Sequence, residues 1–563
     1  MGKRSRACEA CHALKIKCEA SPTNPGVCER CTRSGLVCVP AARRWQKDRI
    51  VELEEQVRSL QEKLDGAGSS MQGLSAYGNS TRATSVLSTG DGEGMSFSMN
   101  AVPSGCDSLA FLDARLDHDS QIRCLEVCSA TTVRFWSIVP LANGSSARSW
   151  LQSARTDTPT TLLALFAFAM SPEDAGIGHQ TQEELRRKVL ETLGLAAVGL
   201  ENPSHDLIQA VLVAGFWARP SLDGNHANSI QLVKLAHDLS VELGLGGPAM
   251  QSSAPAYFFR IQGPLTLEMK QTWLVSWVAS TMAAIGLRRT HAFGWGLSHH
   301  DALRSLEEES SSPLFLEILH TVRLHAKVSD ALELCDVDSF HDINSDLVTT
   351  TQAEVRGRLS ELSSRPLAKD PQLRFWRVLA TIYANEPVLH TSTNKILFAG
   401  PYVAERIGVL EFAHPSKVTG TAEMALRSIV EACQLAIELV LHMEPSLILS
   451  LPSLCFGPAV SYALSILVKV FVAVSAPGNT YGRVLTRESL RIREAIDNLM
   501  AVKALLLKLD PHMGNWNTRI IGSVEWLGAW LDDYESIIER YEMNLEREVA
   551  ERAIGSLSRN GHF

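Results

Sequence analysis

The chain has 563 residues, 45% of them hydrophobic and 20% charged, with a formal net charge of −9. Those values suit a globular protein with a large core and room for two or more folded units, and the acidic total taken alone points away from a nucleic-acid partner. The charge is unevenly placed, however: residues 1–49 carry eleven Lys/Arg against four acids, a local +7 that leaves −16 for the rest. A basic head on an acidic body implies that the head meets an anion while the body does something else.

The first element is the head itself. "MGKRSRACEA" is basic and polar with no apolar run behind it, so it does not read as a secretory signal, and the cysteines are expected to be reduced. Six of the twelve cysteines fall within the first forty residues as C-x2-C-x6-C-x9-C-x2-C-x6-C, through Cys8, Cys11, Cys18, Cys28, Cys31 and Cys38. Structural zinc takes four tetrahedral ligands and favours thiolates. Six sulfurs saturate one zinc with two left over, or two zincs if two sulfurs each bridge both metals; the repeat favours two equivalent halves with one bridging thiolate each. A cross-brace of the RING type needs eight separate ligands, and the only histidine here is His12, beside Cys11. A disulfide-stapled module is the bland alternative.

Residues 8–38 resemble the fungal binuclear zinc cluster of transcription factors, nearest to the branch with the yeast leucine-pathway and weak-acid response regulators. The resemblance implies a fold that is mostly α: a small N-terminal cluster over 1–38 holding two Zn2+, a short coiled coil, and a large all-α regulatory domain. It implies Cys8 and Cys28 as the bridging sulfurs. It also implies a short helix after Cys11 whose end faces the DNA major groove. By position Lys15 reads guanine of a CGG triplet and Lys17 contacts phosphate; the O6 and N7 acceptors of guanine are distinct only in the major groove. His12 and Ala13 stand where basic residues are common, which predicts a shallower salt dependence but the same groove. Leu14 in "LKIKC" suits the leucine-regulator branch. Arg30 and Arg33, in the second half, are expected to position phosphate.

A basic linker, 39–49, follows, with Arg43, Arg44 and Lys47 set to lie along the backbone between half-sites and, with Lys3, Arg4 and Arg6, to form a nuclear-import patch. Ile50, Leu53, Val57, Leu60 and Leu64 then alternate in steps of three and four, the a/d seam of a dimerisation coiled coil over 50–64. At little over two heptads it dimerises weakly alone. Residues 65–107 are rich in Gly, Ser and Thr and read as a disordered tether.

From 108 to 555 apolar residues recur at helical spacing, with 556–563 as a tail. "SIQLVKLAHDLSVELGLGG" sets Leu232, Leu235, Leu239 and Leu243 on one face and stops at Gly244. "MKQTWLVSWVASTMAAIGLRR" puts Trp273 and Trp277 one turn apart. These two stretches resemble the middle homology region of fungal transcription factors, although the family's Asp-Arg pair is replaced around Ser280 and Thr281. Residues 458–476 are nearly all apolar and almost long enough to span a bilayer, but Lys469 inside them favours a buried core helix, so no membrane is expected. His299, His300 and Asp301 read as surface or capping residues, and Cys124 and Cys128 as buried small apolar ones. The acidic run Glu525 to Glu551, with aromatics every three or four positions, reads as a final helix packing its aromatic face, with an activation segment as the alternative. No nucleophile elbow, Walker loop or dinucleotide fingerprint is present, so no enzyme is expected.

The functional expectation is a nuclear, sequence-specific regulator of RNA polymerase II genes. It binds double-stranded DNA through CGG-type half-sites as a homodimer, with a small-molecule effector and coactivators as further partners. Regulators of this make often serve secondary metabolism. The competing reading is a zinc-dependent protein-interaction scaffold, which would not need Lys15, Lys17 and the Arg43/Arg44 run on one arm.

Overall fold

In the computed structural model the described residues are 18, 28–34, 38, 104–130, 146–170, 176–221, 228–247, 261, 263–289, 294–309, 313–400, 402, 415, 417–476 and 478–559. Two units are distinguished, residues 1–98 and 99–563. In the first, the described helix is α1 (Glu29–Ser34). The basic linker, the coiled-coil residues Ile50, Leu53, Val57, Leu60 and Leu64, and the tether as far as residue 103 lie outside the described residues.

The second unit is helical, and no β-strand occurs among the described residues. It begins with α2 (Ser104–Asp113), four residues inside the stretch read as tether; Ser108 and Leu112 are buried, and that packing carries the turn ahead of them. α3 (His118–Ala130) and α4 (Ala147–Asp157) follow. α5 (Pro159–Ala164) runs on through a buried π turn, Leu165–Ala169. The buried donors at the start of α5, which have no partner within the helix, find a distant acceptor: the backbone N–H groups of Thr160 and Thr161 donate to the Asp206 carboxylate at 2.9 and 2.7 Å. Cys124 and Cys128 are fully buried, and burial pushes their thiols up to about 11 and about 12. They are core residues, as expected of small apolar side chains.

Next come α6 (His179–Ala197), α7 (His205–Phe216) and α8 (Ser229–Leu243). The sequence of α8 dictates both of its ends. Asn228 accepts hydrogen bonds from the N–H groups of Ile230 and Gln231, and Gly244 closes the helix at φ 90°. Its face of Leu232, Leu239 and Leu243 is buried and packs on α7, so closely that a Cβ on Gly215 would stand 2.9 Å from Val233.

The remaining helices are α9 (Leu267–Gly286), α10 (Leu297–Glu308), α11 (Pro313–Ala331), α12 (Asp346–Ser363), α13 (Pro371–Asn385), α14 (Gly420–Leu441), α15 (Pro445–Ser450), α16 (Phe456–Ser475), α17 (Ile492–Leu509), α18 (Trp516–Gly522) and α19 (Glu525–Arg559). One continuous apolar cluster runs from Leu112 to Leu531 through all of the larger helices before α19 and into its first turns.

Helix α16 is long and apolar enough to cross a membrane, but 89% of its apolar window is buried inside the body, against α14, α18 and α13. Lys469 is tolerated there because its ammonium donates to Ser465 Oγ at 2.6 Å and faces the rings of Phe398 and Tyr402 at 5.3 and 5.5 Å. In α9, Trp273 and Trp277 are buried and open an aromatic column. His299 stacks on Trp273 (4.6 Å between centroids) and on Trp295 (5.1 Å), while its Nδ1 accepts from the N–H of Gly296 at 3.0 Å and so caps α10. The capping role matches the sequence reading; the burial does not, because the tryptophans that cover the ring lie on separate segments.

The core also holds a salt bridge. Arg288, just beyond α9, pairs with Glu386 at the end of α13, and the same carboxylate accepts from the Tyr462 hydroxyl and meets His390 Nε2 at 2.9 Å. Burial pushes the Glu386 carboxyl up, but Arg288, His390 and Tyr462 together outweigh it and hold it down at about 2.

Finally, among its described side chains α19 (Glu525–Arg559) buries only those of its first half. Leu527, Leu531 and Ile538 are buried, Trp530 stacks on Tyr534 at 5.1 Å, and the Ser475 hydroxyl donates to Tyr534 at 3.3 Å. Beyond that point Tyr541, Met543, Leu545 and Val549 are all exposed.

Candidate metal centre

Helix α1 explains why two cysteines stand three apart. A helix start leaves its first backbone N–H groups without intrahelical partners. Cys28 occupies the capping position: its carbonyl accepts the first helical bond from the N–H of Thr32 at 3.0 Å. Its sulfur accepts from the N–H of Cys31 at 3.4 Å, as a serine hydroxyl would at an N-cap. The two-residue spacer therefore puts both sulfurs at the same end of one helical turn. Cys38 returns to this end, and its sulfur accepts from the N–H of Cys28 at 3.3 Å.

The outcome is a cluster in which Cys28, Cys31 and Cys38 offer sulfur atoms within 4.8 Å of one another. Cys28 and Cys31 are fully buried and Cys38 is half-buried, as is Cys18 of the first half. Thiolates on a single tetrahedral zinc stand about 3.8 Å apart, so these three need only small shifts to share one ion. Buried sulfurs that accept N–H groups at the positive end of a helix suit the charge of metal-bound thiolate. The residues present fit zinc. No other group of three His, Cys, Asp or Glu among the described residues meets the same test.

The structure thus brings together three of the six expected ligands. Cys8 and Cys11 lie outside the described residues, as do His12, Lys15, Lys17, Arg43, Arg44 and Lys47. Arg33, in the last turn of α1, is exposed, at the end of the helix away from the sulfurs. The helix-cap role of Cys28 was not foreseen; a cysteine directly before a turn-forming "ERCTRS" was its only signal.

Residues 6–48 match the family model described as the fungal Zn(2)-Cys(6) binuclear cluster domain. Two zinc ions are accordingly the cofactor of this segment. Over 350 residues the chain is 24% identical to the transcription factor pbcR of Emericella nidulans, an alignment covering 55% of this chain and 45% of that one, less than half of the relative's length. No solved structure matches.

Proposed function

We propose that this chain, a member by its N-terminal domain of the fungal binuclear zinc cluster transcription factors, is a nuclear regulator of RNA polymerase II genes that reads paired CGG-type half-sites as a homodimer. It is a regulator rather than an enzyme. The observation that carries the reading is the cluster of Cys28, Cys31 and Cys38 within a segment that matches the zinc cluster domain and, in an acidic chain, holds eight Lys/Arg against four acids.

In this reading Cys8, Cys11, Cys18, Cys28, Cys31 and Cys38 hold two zinc ions, with Cys8 and Cys28 bridging. So small a segment buries too little apolar surface to fold alone, so metal binding supplies its folding energy. Lys15 donates to guanine O6 and N7, while Lys17, His12, Arg30 and Arg33 hold the phosphates. Arg43, Arg44 and Lys47 track the backbone between half-sites. The seam Ile50, Leu53, Val57, Leu60 and Leu64 joins two copies, which sets half-site spacing through the linker. The helical body controls activity through a small-molecule effector and coactivators. The branch with the leucine-pathway and weak-acid response regulators remains the nearest match to the "LKIKC" segment.

The test is selection from a randomised duplex library by the full zinc-loaded chain at two salt concentrations. Paired CGG triplets, lost in Lys15→Ala, are the expected product. Retention that merely fades with salt and shows no sequence preference would replace this reading with the protein-interaction scaffold.

A further inference from the structure

Where α9, α13, α16 and α18 meet, the body forms a half-open cavity of about 290 Å³, with exposed Asn228 and half-buried Ser229 and Trp516 at its rim. Closely packed helices rarely leave gaps much larger than a water molecule, whose share of the liquid is about 30 Å³, so a recess of this size between four of them is room for a small molecule. It falls at the lower edge of the range for small-molecule sites. Met282 and Gly286 of α9, Trp376 and Tyr383 of α13, Tyr462 of α16 and Ile520 of α18 form much of its wall. A Cβ built on Gly286 would meet nothing within 4 Å.

The chemistry of the wall narrows the ligand. No Asp, Glu, Lys or Arg is among the described residues that line the cavity. Arg288 and Glu386 lie behind Tyr383 and Tyr462 and neutralise each other, and the Arg519 guanidinium stands over the ring of Trp516 at 5.5 Å without itself lining the cavity. His325, also on the wall, shares a hydrogen bond at 2.8 Å with the Trp376 carbonyl, and burial holds its ring neutral, down at about 4. An ion placed against this wall would lose much of its hydration and gain no counter-charge. The buried hydroxyls differ in availability. Tyr462 is committed to Glu386, and Ser453 to the carbonyls of Phe216 and Ala218. The Tyr383 hydroxyl makes no hydrogen bond among the described residues.

We infer that this cavity is a binding site for a small, neutral, mainly aromatic molecule carrying one hydrogen-bonding oxygen, which Tyr383 engages. The molecule lies between four helices from different parts of the chain and holds them in one arrangement. The site stands on the geometry of the body; its regulatory meaning rests on the reading of that body as the effector domain.

The test uses the full zinc-loaded chain and three isosteric probes: 4-phenylphenol, biphenyl and biphenyl-4-carboxylate, titrated by calorimetry. 4-Phenylphenol binds at one site per chain, and at a hundredfold excess over its Kd raises the thermal midpoint of the body by about 3 °C. The carboxylate binds at least about 100-fold more weakly. Tyr383→Phe weakens 4-phenylphenol by about three- to tenfold and leaves biphenyl unchanged, the mark of one lost neutral hydrogen bond. Ala283→Leu, which extends a buried wall residue into the space, removes binding of all three. No binding of 4-phenylphenol, equal binding of the carboxylate, or unaltered binding by an Ala283→Leu protein of undiminished thermal midpoint each overturns the inference. Duplex selection by the same preparation reports on the head separately, so failure of the cavity and failure of the DNA-binding reading are told apart.

Discussion

Replacing Glu386 by glutamine would leave the Arg288 guanidinium charged, buried and without its counter-ion, next to an Nη1 that already lacks a hydrogen-bond partner. The size of the effect can be worked from the carboxyl itself. It sits at about 2 against an ordinary 4.5, and at about 1.4 kcal/mol per tenfold the difference contributes about 3 kcal/mol at neutral pH. Breaking a buried pair from one side typically costs about 3–5 kcal/mol, which agrees. Because the folded value lies below the unfolded one, this stability is present in full above about pH 4.5 and is lost as the pH falls towards 2. Glu386→Gln therefore lowers the thermal midpoint of the body by about 3 °C at pH 7, followed by tryptophan fluorescence, and the gap to the parent narrows below pH 4.5. Arg288→Met alone is also costly, since it strands the carboxylate. Arg288→Met with Glu386→Gln costs at least about 2 kcal/mol less than the same two changes made singly and summed. Strict additivity, or a Glu386→Gln loss below about 1 kcal/mol, would refute the claim that the two residues act as one unit.

Other expectations follow from the same structure. Chelation of zinc abolishes DNA binding while the far-ultraviolet helical signal of the body persists, and added zinc restores binding. Cys28→Ser lowers the zinc content below two per chain, read by metal analysis, because a hydroxyl can replace its capping bond but not a thiolate ligand. Gly244→Ala destabilises the body by about 1 kcal/mol in urea unfolding, since φ 90° strains any residue with a Cβ. Tyr541→Ala with Leu545→Ala leaves the thermal midpoint nearly unchanged, because both side chains are exposed, whereas Leu531→Ala, at a fully buried position of the same helix, costs about 3 kcal/mol.

What could be read in advance was whatever a short stretch of chain decides for itself. The repeated C-x2-C-x6-C implies cysteines gathered for metal, the leucines of "SIQLVKLAHDLSVEL" imply a buried face, and Gly244 implies a stop. A lysine in the middle of an apolar run favoured a core helix over a membrane span, and the burial of α16 agrees. The features that escaped are made by residues far apart. Arg288 and Glu386 are 98 positions apart, and nothing near either one marks it as core. His299 looked like a helix-start residue and is one, but its burial depends on Trp273 and Trp295 closing over it. The cavity is still less visible: it is the place where four helices fail to fill space, and its wall is drawn from residues that each read as ordinary core.

The burial of α16 also bears on how the chain is made. As a nascent segment, Phe456–Ser475 has the length and hydropathy by which targeting factors select membrane anchors. Helices α13 and α14 precede it on the ribosome and can cover part of its surface as it emerges, but α18, which covers another flank, comes roughly fifty residues later. At ordinary rates of synthesis that delay lasts roughly 2 to 10 seconds. For that interval the order in which helices leave the ribosome, rather than the stability of the finished fold, decides whether the segment is kept for the interior of the protein or surrendered to a bilayer.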